Sequence, residues 1–313
     1  MSGLSLTPVV IAQLYREACR FDVIVFKPGN VSCEAAGHGM QAADFLTSAA
    51  VSASVLTQLG GGVGERLLGA VRATRAAVGC NTNLGILLLV APLVLAALAP
   101  TNEPALRQRL RVVLSDLSVA DAEFAYVAIR EAAPAGLGEA PAQSVYARPT
   151  VDLRAAMALA AARDLIARQY GNDYSAVFEL GLAALRASRA AGGSLAQAVS
   201  AVYLTFLTSF PDSHVARKHG VAAATALCER AQRLGWSGPA DPHSPAFRAK
   251  LRHLDRELKA AGINPGTSAD LTVASFFACQ LSDALSDRAA ALSSLSQGRG
   301  PVVLGRVSPS VHG

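Results

Sequence analysis

Residues 84–99 read LGILLLVAPLVLAALA, and this apolar run decides the fold class. The run contains no charged residue and is 16 residues long. A membrane-spanning helix needs about 20 apolar residues, and Pro92 interrupts the run. We therefore predict a helix that is kinked at Pro92 and buried at the centre of the fold, rather than a membrane span.

The composition of the whole chain favours helices packed around a large core. Of 313 residues, 51% are apolar, 16% are charged and 5% are aromatic, which excludes a disordered chain. Alanine and leucine dominate, as is typical of helices rather than strands. Five cysteines are too few for a disulfide scaffold, and they lack metal-ligand spacing. We interpret them as core residues of a protein in a reducing cytoplasm.

Helical periodicity extends over most of the chain, and no strand-like alternation persists. The pattern predicts helices over 8–22, 42–59, 63–78, 84–99, 103–117, 119–132, 151–169, 173–190, 195–209, 214–234, 246–261 and 268–295. Segments 133–150 and 235–245 are rich in proline and glycine, which predicts loops. The fold class is therefore all-α, a multi-helix bundle or array. We assign residues 1–295 to a single domain, with a lobe boundary at 133–150 as the alternative, and residues 296–313 to a flexible C-terminal tail.

The charge distribution indicates small-molecule rather than macromolecular partners. A net charge of +5 does not by itself indicate nucleic-acid binding, because the arginines are scattered and aromatic residues are few. Arg16, Glu17 and Arg20 interrupt the first 20 residues, so no secretory signal is expected. We expect a cytoplasmic protein with neither nucleic acid nor membrane as partner. An alanine-rich helix face would suit a homodimer, although core packing explains it equally well.

Two polar segments in the N-terminal part of the chain stand between the predicted helices. The first contains Lys27 and Asn30 in KPGNV, followed by His38 and Asp44. A lysine at a Pro-Gly turn can hold a phosphate as a point charge, although an ordinary helix connection would look similar. The second segment places Asn81, Thr82 and Asn83 before the apolar helix. Helix N-terminal N–H groups suit phosphate oxygens, whereas capping explains only one of the asparagines.

Two further polar segments lie in the C-terminal part of the chain. In FPDSHVARKHG, residues 210–220, Arg217 and Lys218 follow Asp212 on the next helix. A carboxylate near a basic helix face fits a complex of Mg²⁺ with a polyphosphate. In NPGTSADL, residues 264–271, a turn leads into a helix whose first turn carries Asp270, which is typical of an anion site. Each segment taken alone also fits a capped, solvated helix start.

Taken together and in this order, the four segments resemble the triphosphoribosyl-dephospho-coenzyme A synthase family over roughly residues 10–285. KPGNV is similar to the family's KPGLV, and NPGTSADL to its PGGSADL signature. FPDSHVARKHG occupies the place of an Asp-Thr/Ser segment followed by Arg and Gly. Asp22 stands where the family usually has Glu, and His38 with Met40 is similar to its His-x-x-Met motif, with a spacing shorter by one residue.

The resemblance implies an all-α enzyme that transfers a triphosphoribosyl group from ATP to the ribose 2′-hydroxyl of 3′-dephospho-coenzyme A and releases adenine. It implies ATP as substrate and Mg²⁺ as cofactor, because the triphosphate charge must be neutralised. The implied metal ligands are Asp22, Asp212 and Asp270. The implied nucleotide and phosphate contacts are Lys27, Asn30, Asn81, Thr82, Asn83, Arg217, Lys218, Gly266 and Ser268. The implied catalytic residues are His38, Asp44 and Asp270, and His38 or an aspartate would accept the hydroxyl proton.

One segment departs from the family pattern. Members of known activity have GGVNTHKG where this chain has VGCNTNLG, so Asn83 and Leu84 replace a His-Lys pair. Losing two basic side chains should change the ligand or its charge. The NTNLG form resembles a branch found in archaea and methylotrophs that usually lacks the partner lyases. Two alternatives therefore stay open: a related Mg²⁺- and nucleotide-dependent transferase making another coenzyme, such as a one-carbon carrier, and a non-catalytic helical binding protein.

Overall fold

The computed structural model describes residues 3–34, 36–137, 142–236 and 244–297, and within these ranges it is built from helices. The helices are α1 (Pro8–Ile24), α2 (Ala42–Leu56), α3 (Val63–Val78), α4 (Leu84–Leu98), α5 (Leu106–Ser115), α6 (Val119–Ala132), α7 (Leu153–Ala160), α8 (Leu165–Gly171), α9 (Leu182–Ala190), α10 (Leu195–Ser209), α11 (Ser213–His219), α12 (Val221–Arg233), α13 (Pro245–Ala260) and α14 (Gly266–Gln297). A π-helical segment, Ala176–Gly181, precedes α9. The described residues form no strand beyond two isolated bridges, so the all-α prediction is confirmed.

Helix α4 is the apolar run of the sequence, and 12 of its 15 residues are buried. It packs against α1, α3, α5, α8 and α14, because a helix that is apolar on every face must be covered on every face. The α-helix continues through Pro92. Among the described helices, none combines the length and the apolar character that crossing a membrane requires.

Helix α14 is the longest element, with 32 residues, and it packs against both α1 and α4. Its Phe276 and Phe277 stack edge-on against Phe21 and Tyr15 of α1, with ring centroids 5.2 and 6.0 Å apart. These contacts hold α1 against α14, and Gly85 of α4 lies against Asp270 of α14. The C-terminal end of α1 and the N-terminal ends of α4 and α14 therefore lie close to one another. The polar segments of the sequence flank these three helix ends.

The buried apolar side chains of the described residues form two clusters. The larger cluster contains residues from α1 through α10 and from α14. The smaller cluster lies among α10, α12, α13 and the start of α14. Residues 133–137 and 142–150 are non-helical, in agreement with the predicted loop. The assignment of residues 1–295 to one domain stays a prediction. Most of the predicted tail, residues 298–313, lies outside the described residues.

Two predicted helices are each divided in the structure. The helix predicted over 151–169 is broken at Asp164, whose Oδ1 accepts hydrogen bonds from the N–H groups of Ile166 and Ala167 at 2.8 and 3.1 Å and so starts α8. The helix predicted over 214–234 is broken at Gly220, whose φ of +91° belongs to the region that favours glycine. The first break places the start of α8 near the polar segments, and the second places the end of α11 there.

Candidate active site

A cavity of about 530 Å³ lies where the ends of α1, α4, α6, α8, α11 and α14 meet. This volume is within the range of small-molecule sites, about 300–1,000 Å³. Ten of the fourteen predicted site residues line it: Asp22, Asn30, His38, Asn81, Thr82, Asn83, Arg217, Lys218, Gly266 and Asp270. All four polar segments therefore contribute to one cavity. A non-catalytic scaffold predicts instead that these residues are scattered.

Asp270, in the first turns of α14, places a carboxylate on the wall of this cavity. Its side chain makes no hydrogen bond to any described residue, and it lies directly against Gly85 of α4. A Cβ atom at Gly85 would lie 2.0 Å from the Asp270 Oδ2 atom. Burial, and then the nearby carboxylates of Asp22 and Asp212, raise the pKa of Asp270 well above its ordinary value. A cation or a proton would stabilise this carboxylate.

Asp22 lines the same cavity from the end of α1 and forms an ion pair with Lys27. Lys27 is 0% exposed and Asp22 is 4% exposed. Lys27 does not line the cavity, so the predicted direct contact with a phosphate is not seen. The ammonium group instead compensates the buried charge of Asp22, which would otherwise be costly.

Asp212 joins the N-terminal ends of two helices. Its Oδ1 accepts hydrogen bonds from the N–H groups of His214 and Val215 in α11, at 2.9 and 3.1 Å. Its Oδ2 accepts from the N–H and the hydroxyl of Ser268 in α14, at 2.7 and 2.8 Å. Neither residue lines the cavity, and both are buried. Asp212 and Ser268 therefore position the polar segments rather than face a ligand there.

We expect Asp212→Ala to lower the free energy of unfolding by about 3 kcal/mol, because it removes four hydrogen bonds and leaves buried donors without a partner. Urea denaturation measures this loss. Asp152→Ala is the matched control, since Asp152 caps only α7 through one bond from Ala155 at 2.8 Å, and such a cap contributes about 1 kcal/mol. Equal losses in the two variants would contradict the joining role of Asp212.

Asp44 also serves a helix start. Its Oδ2 accepts a hydrogen bond from the N–H of Gln41 at 2.8 Å, which closes a capping box on α2. Asp44 does not line the cavity, so the structure does not bring this predicted catalytic residue together with the others.

Three amide and hydroxyl side chains surround the start of α4. Asn81 Oδ1 accepts a hydrogen bond from the Leu84 N–H at 3.1 Å, and the Thr82 hydroxyl lies 2.7 Å from that of Ser48. Asn83 is 5% exposed, and its Nδ2 atom makes no hydrogen bond. Buried polar atoms in native proteins nearly always have a partner. The free amide of Asn83, at the edge of the cavity, therefore suits an acceptor on a ligand.

Asn30 presents a similar feature on the opposite segment. Its Nδ2 donates to Asn264 Oδ1 at 3.0 Å, while its own Oδ1 is buried without a partner. His38 Nε2 lies 2.9 Å from the carbonyl oxygen of Gly29. Because a carbonyl only accepts, the Nε2 atom donates, and the Nδ1 atom of a neutral His38 is left as a proton acceptor.

The cationic wall of the cavity comes from α11. Arg217 Nε donates to the Ala135 carbonyl at 3.1 Å, and its guanidinium lies 3.6 Å from Asp164 Oδ2. Burial, and then the charges of Arg217 and Lys218, lower the pKa of His214 to about 4. His214 is therefore neutral at pH 7, and Arg217 and Lys218 supply the positive charge on α11.

Other polar residues of the cavity were not assigned from the sequence, among them Arg75, Asp164, Asn264 and Thr267. Asp164 and Arg75 fall inside segments that the periodicity assigns to helices, where a solvated face is the ordinary interpretation. Asn264 and Thr267 belong to the NPGTSADL motif, so the motif itself was a usable signal for them. Thr267 also accepts a hydrogen bond from the His214 N–H at 3.1 Å.

These features define a class of protein: an all-α fold with a polar cavity, lined by carboxylates, amides and cations, that suits a phosphorylated small molecule. The family model CitG, ATP:dephospho-CoA triphosphoribosyl transferase, matches residues 8–289. The chain belongs to this family, which confirms the resemblance drawn from the four segments.

Two further proteins are similar to parts of this chain. A "probable 2-(5''-triphosphoribosyl)-3'-dephosphocoenzyme-A synthase" of Pseudomonas syringae pv. syringae (strain B728a) is 32% identical over 131 residues, which cover 39% of this chain and 44% of the relative. The match thus spans less than half the length of that relative. A crystal structure of a "putative triphosphoribosyl-dephospho-coA synthase" from Archaeoglobus fulgidus aligns with a TM-score of 0.56 and 24% identity, over 74% of this chain and 96% of that chain. At this identity the likeness shows the fold alone.

Proposed function

We propose that this protein transfers the triphosphoribosyl group of ATP to a ribose hydroxyl of 3′-dephospho-coenzyme A and releases adenine. The observation that carries the proposal is the convergence of the four family segments on one cavity with paired carboxylates and a cationic wall. In this reaction the bond from C1 of the ATP ribose to adenine breaks, and a bond from C1 to the incoming oxygen forms. The hydroxyl proton must pass to a base. The ring nitrogen of adenine that leaves C1 must take up a proton.

Asp22 and Asp270 are the residues that would hold Mg²⁺. Both line the cavity, Asp270 has no hydrogen-bond partner, and the two carboxylates are close enough for Asp22 to raise the pKa of Asp270. Carboxylate and phosphate oxygens are the ligands that Mg²⁺ prefers. The described residues contain no group of three or more His, Cys, Asp or Glu side chains with metal-site geometry, so the nucleotide phosphates would complete the coordination. The bound ion would neutralise the triphosphate charge.

The phosphates would lie toward Arg217, Lys218 and the turn at Gly266. The guanidinium can bind phosphate oxygens through two N–H groups, and the ammonium acts as a point charge. The start of α14 adds the favourable end of the helix dipole, while its Gly266 and Ser268 N–H groups are already bonded to the Asn264 carbonyl and to Asp212. His38, with a free Nδ1 atom in its neutral form, would accept the hydroxyl proton.

One observation favours a second candidate, a related transferase that uses a different acceptor or donor. Leu84 contributes an apolar side chain to the cavity wall, and Asn83 offers an uncharged donor, at the place where members of known activity carry a His-Lys pair. The cavity therefore has less positive charge near the start of α4. A ligand with fewer phosphates at this end would fit this candidate.

The test is incubation of the purified protein with ATP, Mg²⁺ and 3′-dephospho-coenzyme A, followed by mass spectrometry. Release of adenine together with a triphosphoribosyl adduct of the acceptor supports the proposed reaction. A reaction mixture without acceptor controls for simple hydrolysis of ATP. Binding of ATP without adenine release would overturn the choice of acceptor and favour the second candidate. Absence of ATP binding would overturn the proposed reaction and leave the second candidate only with a donor other than ATP.

A further inference from the structure

A second cavity of about 600 Å³ adjoins the polar one. Six residues line both cavities: Leu84, Leu88, Pro134, Asp164, Ile166 and Arg217. The second cavity extends from this shared wall between α6, α7 and α8. The two cavities are therefore adjacent, and a long ligand could occupy both if it passed the shared wall.

The second cavity is largely apolar. Its walls include Ile129, Leu153, Met157, Leu165 and Phe210. This lining favours a long and mostly uncharged ligand, because burial of apolar surface is the main source of affinity in such a cavity.

Several polar groups in this lining are already bonded within the protein, and the two further arginines, Arg163 and Arg168, each donate to a backbone carbonyl, at 3.3 and 3.0 Å. The Tyr126 hydroxyl donates to the Gln143 carbonyl at 2.7 Å, and the Gln143 side-chain amide exchanges two hydrogen bonds with Thr150. A purine ring, with hydrogen-bonding atoms around its edge, would leave several of these atoms unpaired here. A flexible arm can instead bury its methyl and methylene groups and turn its few polar groups toward the backbone or the cavity mouth.

The positive charge at the shared wall comes from Arg217. Its guanidinium lies 3.6 Å from Asp164, a distance longer than a close ion pair, and both side chains are about one quarter exposed. An anionic group at the junction can therefore approach Arg217 without displacing a tight salt bridge. This places a cation at the point where a polar, phosphate-bearing part of a ligand would meet an uncharged part.

We propose that the second cavity binds the pantetheine arm of the acceptor, with the acceptor's diphosphate at Arg217, which lines both cavities and would thus lie between this diphosphate and the ATP phosphates at Lys218 and Gly266. This inference rests on the proposed function, since it takes 3′-dephospho-coenzyme A as the acceptor. That molecule joins an adenosine diphosphate to a long uncharged arm with a dimethyl group, two amides and a thiol. The order of its parts matches the order along the protein: polar cavity, cation, apolar cavity.

The test compares an acceptor that has the arm with one that lacks it. Ala156 of α7 lines the second cavity, so Ala156→Phe would fill part of it. We expect this variant to bind 3′-dephospho-coenzyme A about tenfold more weakly by calorimetry, because two lost methylene-sized contacts correspond to about that factor. ADP, which lacks the arm, and ATP should bind within about twofold of the parent values.

Ala158→Phe is the matched control, because Ala158 lies on the same helix, is exposed and does not line either cavity. Ala160→Leu, at another lining position, serves as the second variant if Ala156→Phe does not fold. The arm assignment would be overturned if Ala156→Phe weakened the binding of 3′-dephospho-coenzyme A and ADP equally, or weakened the binding of neither. It would also be overturned if the parent protein did not bind 3′-dephospho-coenzyme A. Arm-dependent binding without adenine release would support the cavity assignment and overturn the proposed reaction.

Discussion

Asp270→Asn is expected to reduce the rate of adenine release by about 10³-fold or more while the protein stays folded. The side chain keeps its shape, but the cavity loses the one carboxylate that has no hydrogen-bond partner among the described residues. The neutral amide also removes the repulsion that the Asp22 and Asp212 carboxylates exert on Asp270. We therefore expect an unchanged or higher melting temperature together with the loss of activity.

The matched control is Asp283→Asn on the same helix. Asp283 is 65% exposed, and its nearest cation, Arg186, lies 3.9 Å away, so the control removes one acidic charge from α14 outside the cavity. It should leave the rate unchanged. More than a tenth of the parent activity in Asp270→Asn would remove Asp270 from the reaction.

The raised pKa of Asp270 also predicts a pH dependence. Protons and a bound cation compete for the same carboxylate, so affinity for Mg²⁺ with ATP should rise with pH until the pKa of Asp270 is passed. Stability should change in the opposite direction, because the folded state binds the Asp270 proton more tightly than the unfolded state. The Asp270 contribution to the free energy of unfolding therefore falls as the pH rises from the ordinary pKa of a carboxyl group through the raised pKa of the folded state. Asp270→Asn should remove the Asp270 share of both dependences, while the raised pKa of Asp212 keeps its own contribution to stability. Titration of binding and of urea midpoints would measure the difference.

Gly85→Ala is expected to reduce activity by about 100-fold, because a displacement near 1 Å at a reacting group has an effect of this size. The added Cβ would lie 2.0 Å from Asp270 Oδ2 and 2.6 Å from its Cγ, so the carboxylate must move. The Ile166 side chain, 2.8 Å away, blocks relief on that side. The φ of Gly85 is not positive, so the effect comes from lost space rather than from backbone strain.

Gly171→Ala is the control for this variant. It also changes a helical glycine, at the end of α8, and no atom lies within 4 Å of the added Cβ. We expect parent-like activity and unchanged or slightly higher stability, since alanine is the better helix former. Parent-like activity in Gly85→Ala would show that the position of Asp270 does not depend on its contact with α4.

The sequence predicted the helices well because their signal is local. The charge-free run at 84–99 has one reasonable interpretation, and α4 occupies it. The breaks at Asp164 and Gly220 were missed, because one cap or one positive φ interrupts a helix without disturbing the periodicity on either side. The four polar segments could be assigned to one site because together they resemble the motifs of a family. The spacing of residues within each segment fits a ligand site and a capped helix start equally well.

The same reasoning could not separate ligand-facing aspartates from capping ones. A carboxylate near a helix start fits both roles, and Asp212, Asp44 and Asp270 have similar local sequences. Only long-range geometry distinguishes them: Asp212 reaches Ser268 across 56 positions, while Asp270 lies against Gly85 and stays unpaired. The burial of Lys27 against Asp22 likewise depends on how α1 packs on α14.

The wall of the polar cavity takes residues from Asp22 to Asp270, so its parts are separated by most of the chain. During synthesis, α1 and α4 leave the ribosome long before the start of α14 exists. The cavity is complete only after α14 docks and brings Asp270 beside Asp22 and Asn83. Ligand capture by a nascent chain would therefore report that this last docking step has taken place, and a chain released before residue 270 could not retain a nucleotide in this cavity.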